Sequence, residues 1–242
     1  MKLKPEVLNP NGPAQVVLIC DHASNHLPDK YGTLGLNPHY LATHIAWDIG
    51  AGALTRHLSR ELNAVAVLAN HSRLLIDTNR ALDDPTLVTE SSEGIEIPGN
   101  LGLNHAERER RISAYYTPFH EACEKVLAKR RTANPLIAGI HTFTPIYEHV
   151  KRPWEIAVMW NQDDRLAKAM GECFEAEGFH VGWNEPYSGK YLFCTMDHHG
   201  ARHNLPHATL EVRQDLVRDK KGQDLFGRLI AKAFQKVQAE WE

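Results

Sequence analysis

Gln15-Val16-Val17-Leu18-Ile19-Cys20-Asp21-His22 is an apolar, β-branched run that stops on a carboxylate and an imidazole. It is too short for a helix, and its composition suits a strand buried on both faces. The pattern recurs downstream. Residues 65–69 and 208–212 are further buried strands, as are residues 136–140, which end at His141, and residues 156–160, which end at Asn161; a short strand falls near residues 179–181. Helical stripes separate them: Ile49, Ala53, Leu54, Leu58 and Leu62 in residues 48–63, a helix near residues 164–177, and a C-terminal helix with Leu225, Leu229, Ile230, Phe234 and Val237. Asn104 with Glu107 three residues on reads as the start of another helix, which Pro118 should kink or split. Strands alternating with helices predict an α/β fold, a three-layer α/β/α sandwich around a mixed, mostly parallel sheet, formed as a single domain over residues 1–242. Ligands bind such sheets at the carboxyl ends of strands. Asp21, His22, His141, Asn161 and Glu211 are therefore expected to form one constellation.

Composition narrows the function. Lys and Arg number 27 against 30 Asp and Glu, a net charge of −3, so there is no basic excess for a nucleic-acid backbone. The longest apolar run, residues 64–69, is far short of the ~20 residues of a membrane span. The N-terminus lacks the apolar stretch of a secretory signal, and a cytoplasmic protein is expected. Cys20, Cys123, Cys173 and Cys194 contain no C-x-x-C pair, which predicts buried free thiols. Histidine is the unusual entry in the composition, with 15 copies. Residues 83–102 are turn-rich and read as a long loop of the kind that forms a lid. Tyr115-Tyr116 reads as exposed.

Three clusters carry chemistry. In Asp21-His22-Ala23-Ser24-Asn25-His26 a neutral imidazole at a strand end suits a metal, with a nearby carboxylate to orient it; the bland alternative is a turn histidine. His141 supplies a second imidazole, and a third ligand is sought in Asp48 or Asn25. Asp48 is the favoured choice, although a helix N-cap is the commoner use of such a residue. In His71-Ser72-Arg73-Leu74-Leu75-Ile76-Asp77-Thr78-Asn79-Arg80 the arginine forks suit a carboxylate, unless Asp77 ties them into a structural salt bridge. Arg152 is expected to be a solvated loop charge. Glu211 in Leu210-Glu211-Val212-Arg213-Gln214 is placed to act as a general base, or else to pair with an arginine. The turn Asn184-Glu185-Pro186-Tyr187-Ser188-Gly189-Lys190 suits a substrate loop but lacks the upstream glycine of a phosphate-binding loop.

Taken in order, Asp21 to Pro28, Ala46-Trp47-Asp48, Ser72-Arg73 with Asp77-Thr78-Asn79-Arg80, His141-Thr142-Phe143 and Leu210 to Gln214 resemble the N-formylglutamate amidohydrolase family. The resemblance implies a phosphorylase/hydrolase-like, zinc-peptidase-like α/β/α sandwich, a divalent metal, zinc by preference, and hydrolysis of the acyl amide of an acidic amino acid, a reaction tied to histidine degradation. Carried onto this chain, it makes His22, His141 and Asp48 or Asn25 the metal ligands, Asn79 and Arg80 the substrate carboxylate site, and Glu211 the base; Arg73 is a further candidate for holding the carboxylate. The chain departs from an H-x-x-E pattern by having Asn25 at the Glu position. The expected partner is a small carboxylated amide, with neither nucleic acid nor membrane. The alternatives are a non-catalytic carboxylate-binding protein on the same scaffold, and a metal-dependent hydrolase of peptide or cell-wall amides.

Overall fold

The apolar run Val16–Cys20 is strand β2, and all five of its residues are buried, as a central strand with helices on both faces requires. In the computed structural model, which describes residues 4–190 and 195–241, the strands are β1 (Glu6–Leu8), β2 (Val16–Cys20), β3 (Val65–Leu68), β4 (Leu136–Phe143), β5 (Ile156–Met159), β6 (Val181–Trp183) and β7 (His207–Arg213). Among the described residues they form one seven-stranded sheet in the order β1-β3-β2-β4-β7-β5-β6. β3, β2, β4 and β7 are mutually parallel. β1 pairs antiparallel with β3, and β5 antiparallel with β7, while β6 follows β5 in parallel.

The helices are α1 (Pro38–Leu41), α2 (Ala51–Glu61), α3 (His105–Arg111), α4 (Thr117–Ala128), α5 (Arg165–Ala176), α6 (Thr195–His199), α7 (Gln214–Val217) and α8 (Lys220–Trp241). Alternation along β2 sorts them into layers. Val16, Leu18 and Cys20 face a core shared with Leu54 and Leu58 of α2, Met170 and Phe174 of α5, and Ile230 and Phe234 of α8. Val17 and Ile19 face Phe119, Cys123 and Leu127 of α4. The expected α/β/α sandwich is the fold. A third apolar cluster joins Leu74, Leu75, Ile76, Leu87, Ile97, Tyr115 and Tyr116, so Tyr115 and Tyr116 are buried and not exposed.

Four local expectations are revised. β5 runs opposite to β7, with Met159 level with Thr209 and Ile156 level with Val212, so the chain beyond Met159 heads away from the carboxyl end of β7. Asn161 therefore leaves the constellation. The cause is the connection: residues 144–155 contain a small hairpin, Ile146–Tyr147 with Val150–Lys151, and no crossover helix to bring the chain round in parallel. Second, the helix begun at Asn104 opens into a π-turn over Ile112–Tyr116 and resumes with Pro118 in the first turn of α4, where a missing N–H costs least. Third, β4 continues through Phe143, which puts His141 inside the strand. Fourth, the last short strand is Val181–Trp183, two residues later than expected. Cys20, Cys123 and Cys173 are buried free thiols; Cys194 lies outside the described residues. Among those residues no helix is long and apolar enough to cross a membrane.

Candidate active site

Parallel strands deliver the first side chains. His22 lies two residues beyond β2, and His141 and Glu211 face each other across the β4/β7 pair. Asp48 arrives on the loop entering α2, tied to the first strand exit by its N–H donating to His22 O at 3.0 Å. Two residues on, Gly50 turns the chain into the helix with φ +91°, a conformation that only glycine adopts without strain. A Cβ at Gly50 would also meet Val217 O at 2.7 Å. Asp77, Asn79 and Arg80 come from one tight turn, in which Arg80 N–H donates to Asp77 O and Asn79 N–H donates to Asp77 Oδ1.

Each imidazole is held between two carboxylates. His22 Nε2 lies 2.8 Å from Asp77 Oδ1, and His141 Nε2 lies 3.2 Å from Asp21 Oδ2. The two Nδ1 atoms turn to a common third carboxylate: His141 Nδ1 is 2.9 Å from Asp48 Oδ2 and His22 Nδ1 is 3.4 Å from Asp48 Oδ1. The second of these is an ion-pair distance without hydrogen-bond alignment, and His22 Nδ1 is a buried polar atom without a hydrogen-bond partner among the described residues. His22, Asp48 and His141 each offer a ligand atom within 4.8 Å of the other two, and all three are buried. Outer carboxylates fixing Nε2 while Nδ1 points inward is the arrangement that orients imidazoles toward a metal. Such a donor set, two imidazoles and a carboxylate, fits a divalent cation. Asn25 is not part of this group; its Nδ2 donates to Leu41 O at 2.8 Å.

The electrostatics follow from packing so many charges out of water. Burial and Arg73 oppose protonation of His22, but Asp77 and Asp48 outweigh them and raise its pKa. Burial likewise opposes protonation of His141, and Asp21 and Asp48 raise it well above the ordinary histidine value. Against their own burial, Asp48 and Asp77 are held well below the usual carboxylate range by His22 and its neighbours. A cation supplied to the inward Nδ1 atoms would satisfy the same field as these protons. Glu211 differs: burial pushes it up to about 7 against the pull of His141, and its Oε2 is buried without a hydrogen-bond partner among the described residues.

These groups open onto a cavity of about 310 Å³ that His22, Asp48, His141 and Glu211 line together with Arg73, Asn79, Arg80 and Tyr187. The two arginines are not equivalent. Arg73 donates to Asp77 Oδ2 at 2.9 Å and lies 3.6 Å from Asp48, so the salt-bridge reading holds for it. Arg80 approaches Asp77 only at 3.9 Å. Asn79 is fixed by accepting from Thr195 N–H at 2.7 Å. Residues 83–102 line one side of the cavity through Thr86, Thr89, Ser92 and Glu93. Arg111 pins this segment: fully buried, it donates to Leu75 O, Asn100 Oδ1 and Gly99 O. Arg152 is no solvated charge. It is buried, donates to Tyr187 Oη at 3.0 Å and stacks over the Tyr147 and Tyr187 rings. The carboxylate expected to orient His22 is Asp77, which the sequence suggests only as an arginine partner, while Asp21, adjacent to His22, orients His141 instead.

Comparison with known proteins addresses the chain as a whole. The chain is 35% identical to a gene product of Agrobacterium tumefaciens, Atu2144, with 98% of this chain and 95% of that one aligned at a TM-score of 0.94. An N-formylglutamate amidohydrolase from Ralstonia eutropha JMP134 shares the fold at 18% identity, TM-score 0.74 and 98% coverage of both chains. No curated protein matches. The profile of the family described as N-formylglutamate amidohydrolase matches residues 14–218, most of the chain and every residue of the cavity just described, and the protein accordingly belongs to the N-formylglutamate amidohydrolase family, hydrolases that act on an amide.

Proposed function

We propose that this protein hydrolyses the acyl amide of a small N-acyl amino acid, N-formylglutamate or a close relative, with a divalent metal, zinc by its donor set, held by His22, Asp48 and His141. The observation that carries the proposal is the buried meeting of two Nδ1 atoms on one carboxylate, with the unpartnered Glu211 carboxylate in the same cavity. A cation bound there supplies Lewis-acid polarisation of the acyl oxygen and of water. Glu211, poised between its two protonation states near neutrality, takes the proton of the attacking water and returns it to the leaving amine nitrogen. Arg80 and Asn79 receive the substrate carboxylate, and Arg73 acts mainly by holding Asp77 and Asp48 in place. A cavity of about 310 Å³ roofed by residues 83–102 suits a compact substrate and favours it over a cell-wall polymer.

The test is a panel of N-formyl and N-acetyl amino acids with acidic and neutral side chains, assayed with metal-loaded and chelator-stripped protein. Metal-dependent cleavage confined to acidic substrates is expected. Glu211→Gln should lower kcat by roughly 10²–10⁴ with its metal content unchanged. Binding of the panel without turnover would point instead to a carboxylate-binding protein, and cleavage of larger amides alone to a different substrate class.

A further inference from the structure

The protein holds a second histidine cluster that the active site does not use. His120 on α4 and His198 and His199 on α6 each offer a ring nitrogen within 4.8 Å of the other two, and none of them lines the cavity of the first site. Their hydrogen bonds decide where the protons sit. His120 Nε2 lies 3.0 Å from Thr78 O; a carbonyl only accepts, so this nitrogen carries the hydrogen. His199 Nδ1 lies 2.9 Å from Glu124 Oε1; a carboxylate only accepts, so the hydrogen of His199 is here. In two neutral rings the remaining nitrogens, His120 Nδ1 and His199 Nε2, are then both lone pairs, and they face each other at 2.9 Å. Two lone pairs do not hold that separation alone. Something positive belongs between or beside them, either a shared proton or a metal ion.

We propose that it is a metal ion: His120 Nδ1, His199 Nε2 and a ring nitrogen of His198 form a second binding site for a borderline divalent cation of the zinc or cobalt type. Two nitrogens bound at ~2.05 Å and at a right angle are about 2.9 Å apart, and at the tetrahedral angle about 3.4 Å; the observed contact needs little or no opening to accept a cation. The outer partners repeat the logic of the first site. Thr78 O and Glu124 hold the distal N–H groups, as Asp77 and Asp21 do for His22 and His141, and Glu124 is itself bound by His203 Nε2 at 3.1 Å. The rings are packed into one unit, His198 lying edge-on to both neighbours at 5.0 and 4.7 Å between centroids. A shared proton would bridge only the His120–His199 pair, whereas the ring of His198 also brings a nitrogen within 4.8 Å of both. Three imidazoles select zinc, cobalt, nickel or copper over magnesium or calcium.

The two sites are separately countable. Protein stripped with chelator, loaded with Zn²⁺ and desalted should carry two equivalents per chain by plasma mass spectrometry. The double variant His120→Gln with His198→Gln should retain one, and His22→Ala should also retain one. A single equivalent in the intact chain that vanishes in His22→Ala would overturn the proposal, as would a second equivalent that survives the double variant. Because His120 is buried and its variant may fail to fold, the same question is put to Co²⁺-loaded His22→Ala protein, in which this cluster is the remaining three-ligand group among the described residues. A ligand-field absorption spectrum of nitrogen-bound Co²⁺ is expected; Co²⁺ behaving as the free aquo ion would overturn the proposal. Loss of activity in His22→Ala with that spectrum intact would separate failure of the first site from failure of the second.

Discussion

Glu211 and the two arginines take different roles from their surroundings, burial for the carboxyl and ion pairing for the guanidiniums. Burial raises the carboxyl of Glu211 to about 7, and a cation in the adjacent nest pulls it back down, so the acid limb of kcat/KM should fall between the ordinary glutamate value near 4.5 and about 7. A pH profile on the best substrate reads it, and Glu211→Gln should abolish the limb along with most of the rate; a limb that survives that substitution would assign it elsewhere. Arg80 is the less committed guanidinium, so Arg80→Ala should raise KM for a carboxylated substrate by roughly 10–100-fold, the worth of a charge-assisted pair, with stability nearly unchanged. Arg73→Ala leaves two buried carboxylates underpaired, and should cost about 1–3 kcal/mol of stability; steady-state kinetics beside urea unfolding distinguishes the two. His22, His141 and Glu211 were legible as candidates because a polar residue follows or interrupts an apolar run at each, although the strands run on through His141 and Glu211 and the same signal at Asn161 points elsewhere. Arg152 was not, since its stacking partners are Tyr147, brought back by the hairpin just before it, and the distant Tyr187, and no sequence period encodes that stacking.

At the scale of elements, buried strands and amphipathic helices were read correctly because their periodicity is local, whereas strand direction is decided by how the chain returns. That is why Asn161 was grouped with the site and β5 proved antiparallel. The three-residue edge strand β1 was passed over for a related reason, because it is too short to carry a period. The turn between Asp48 and α2 offers a test of how an element positions a ligand. Gly50→Ala combines positive φ with a Cβ 2.7 Å from Val217 O, and should cost about 1–3 kcal/mol while weakening metal binding, since Asp48 lies two residues away. Gly94 also has positive φ, +76°, but open space around its Cβ position. Gly94→Ala should therefore cost about 1 kcal/mol and leave metal affinity unchanged. Equal effects from the two substitutions would mean that the close approach to α7 contributes nothing.

At the scale of the whole molecule, the sheet brings three segments far apart in sequence to one buried nest, so a cation bound by His22, Asp48 and His141 would staple β2, β4 and the start of α2 together. Its removal should be felt globally. At a free metal concentration 1,000 times Kd the linked stabilisation is about 4 kcal/mol, which in a chain of this size raises Tm by about 8–16 °C. The pH dependence carries the sign. Without metal, the raised pKa values of His22 and His141 contribute stability that is fully present below the unfolded value of 6.5 and is lost as pH rises through their folded values. The lowered values of Asp48 and Asp77 contribute stability present above 3.8 and lost as pH falls below it. Stripped protein should therefore weaken as pH rises from neutrality, while the metal-loaded form should not, because the cation then competes with fewer protons for the same nitrogens. Melting curves of both forms should diverge with rising pH and converge in acid; a gap that stays constant across the range would mean that the metal does not bind at these imidazoles.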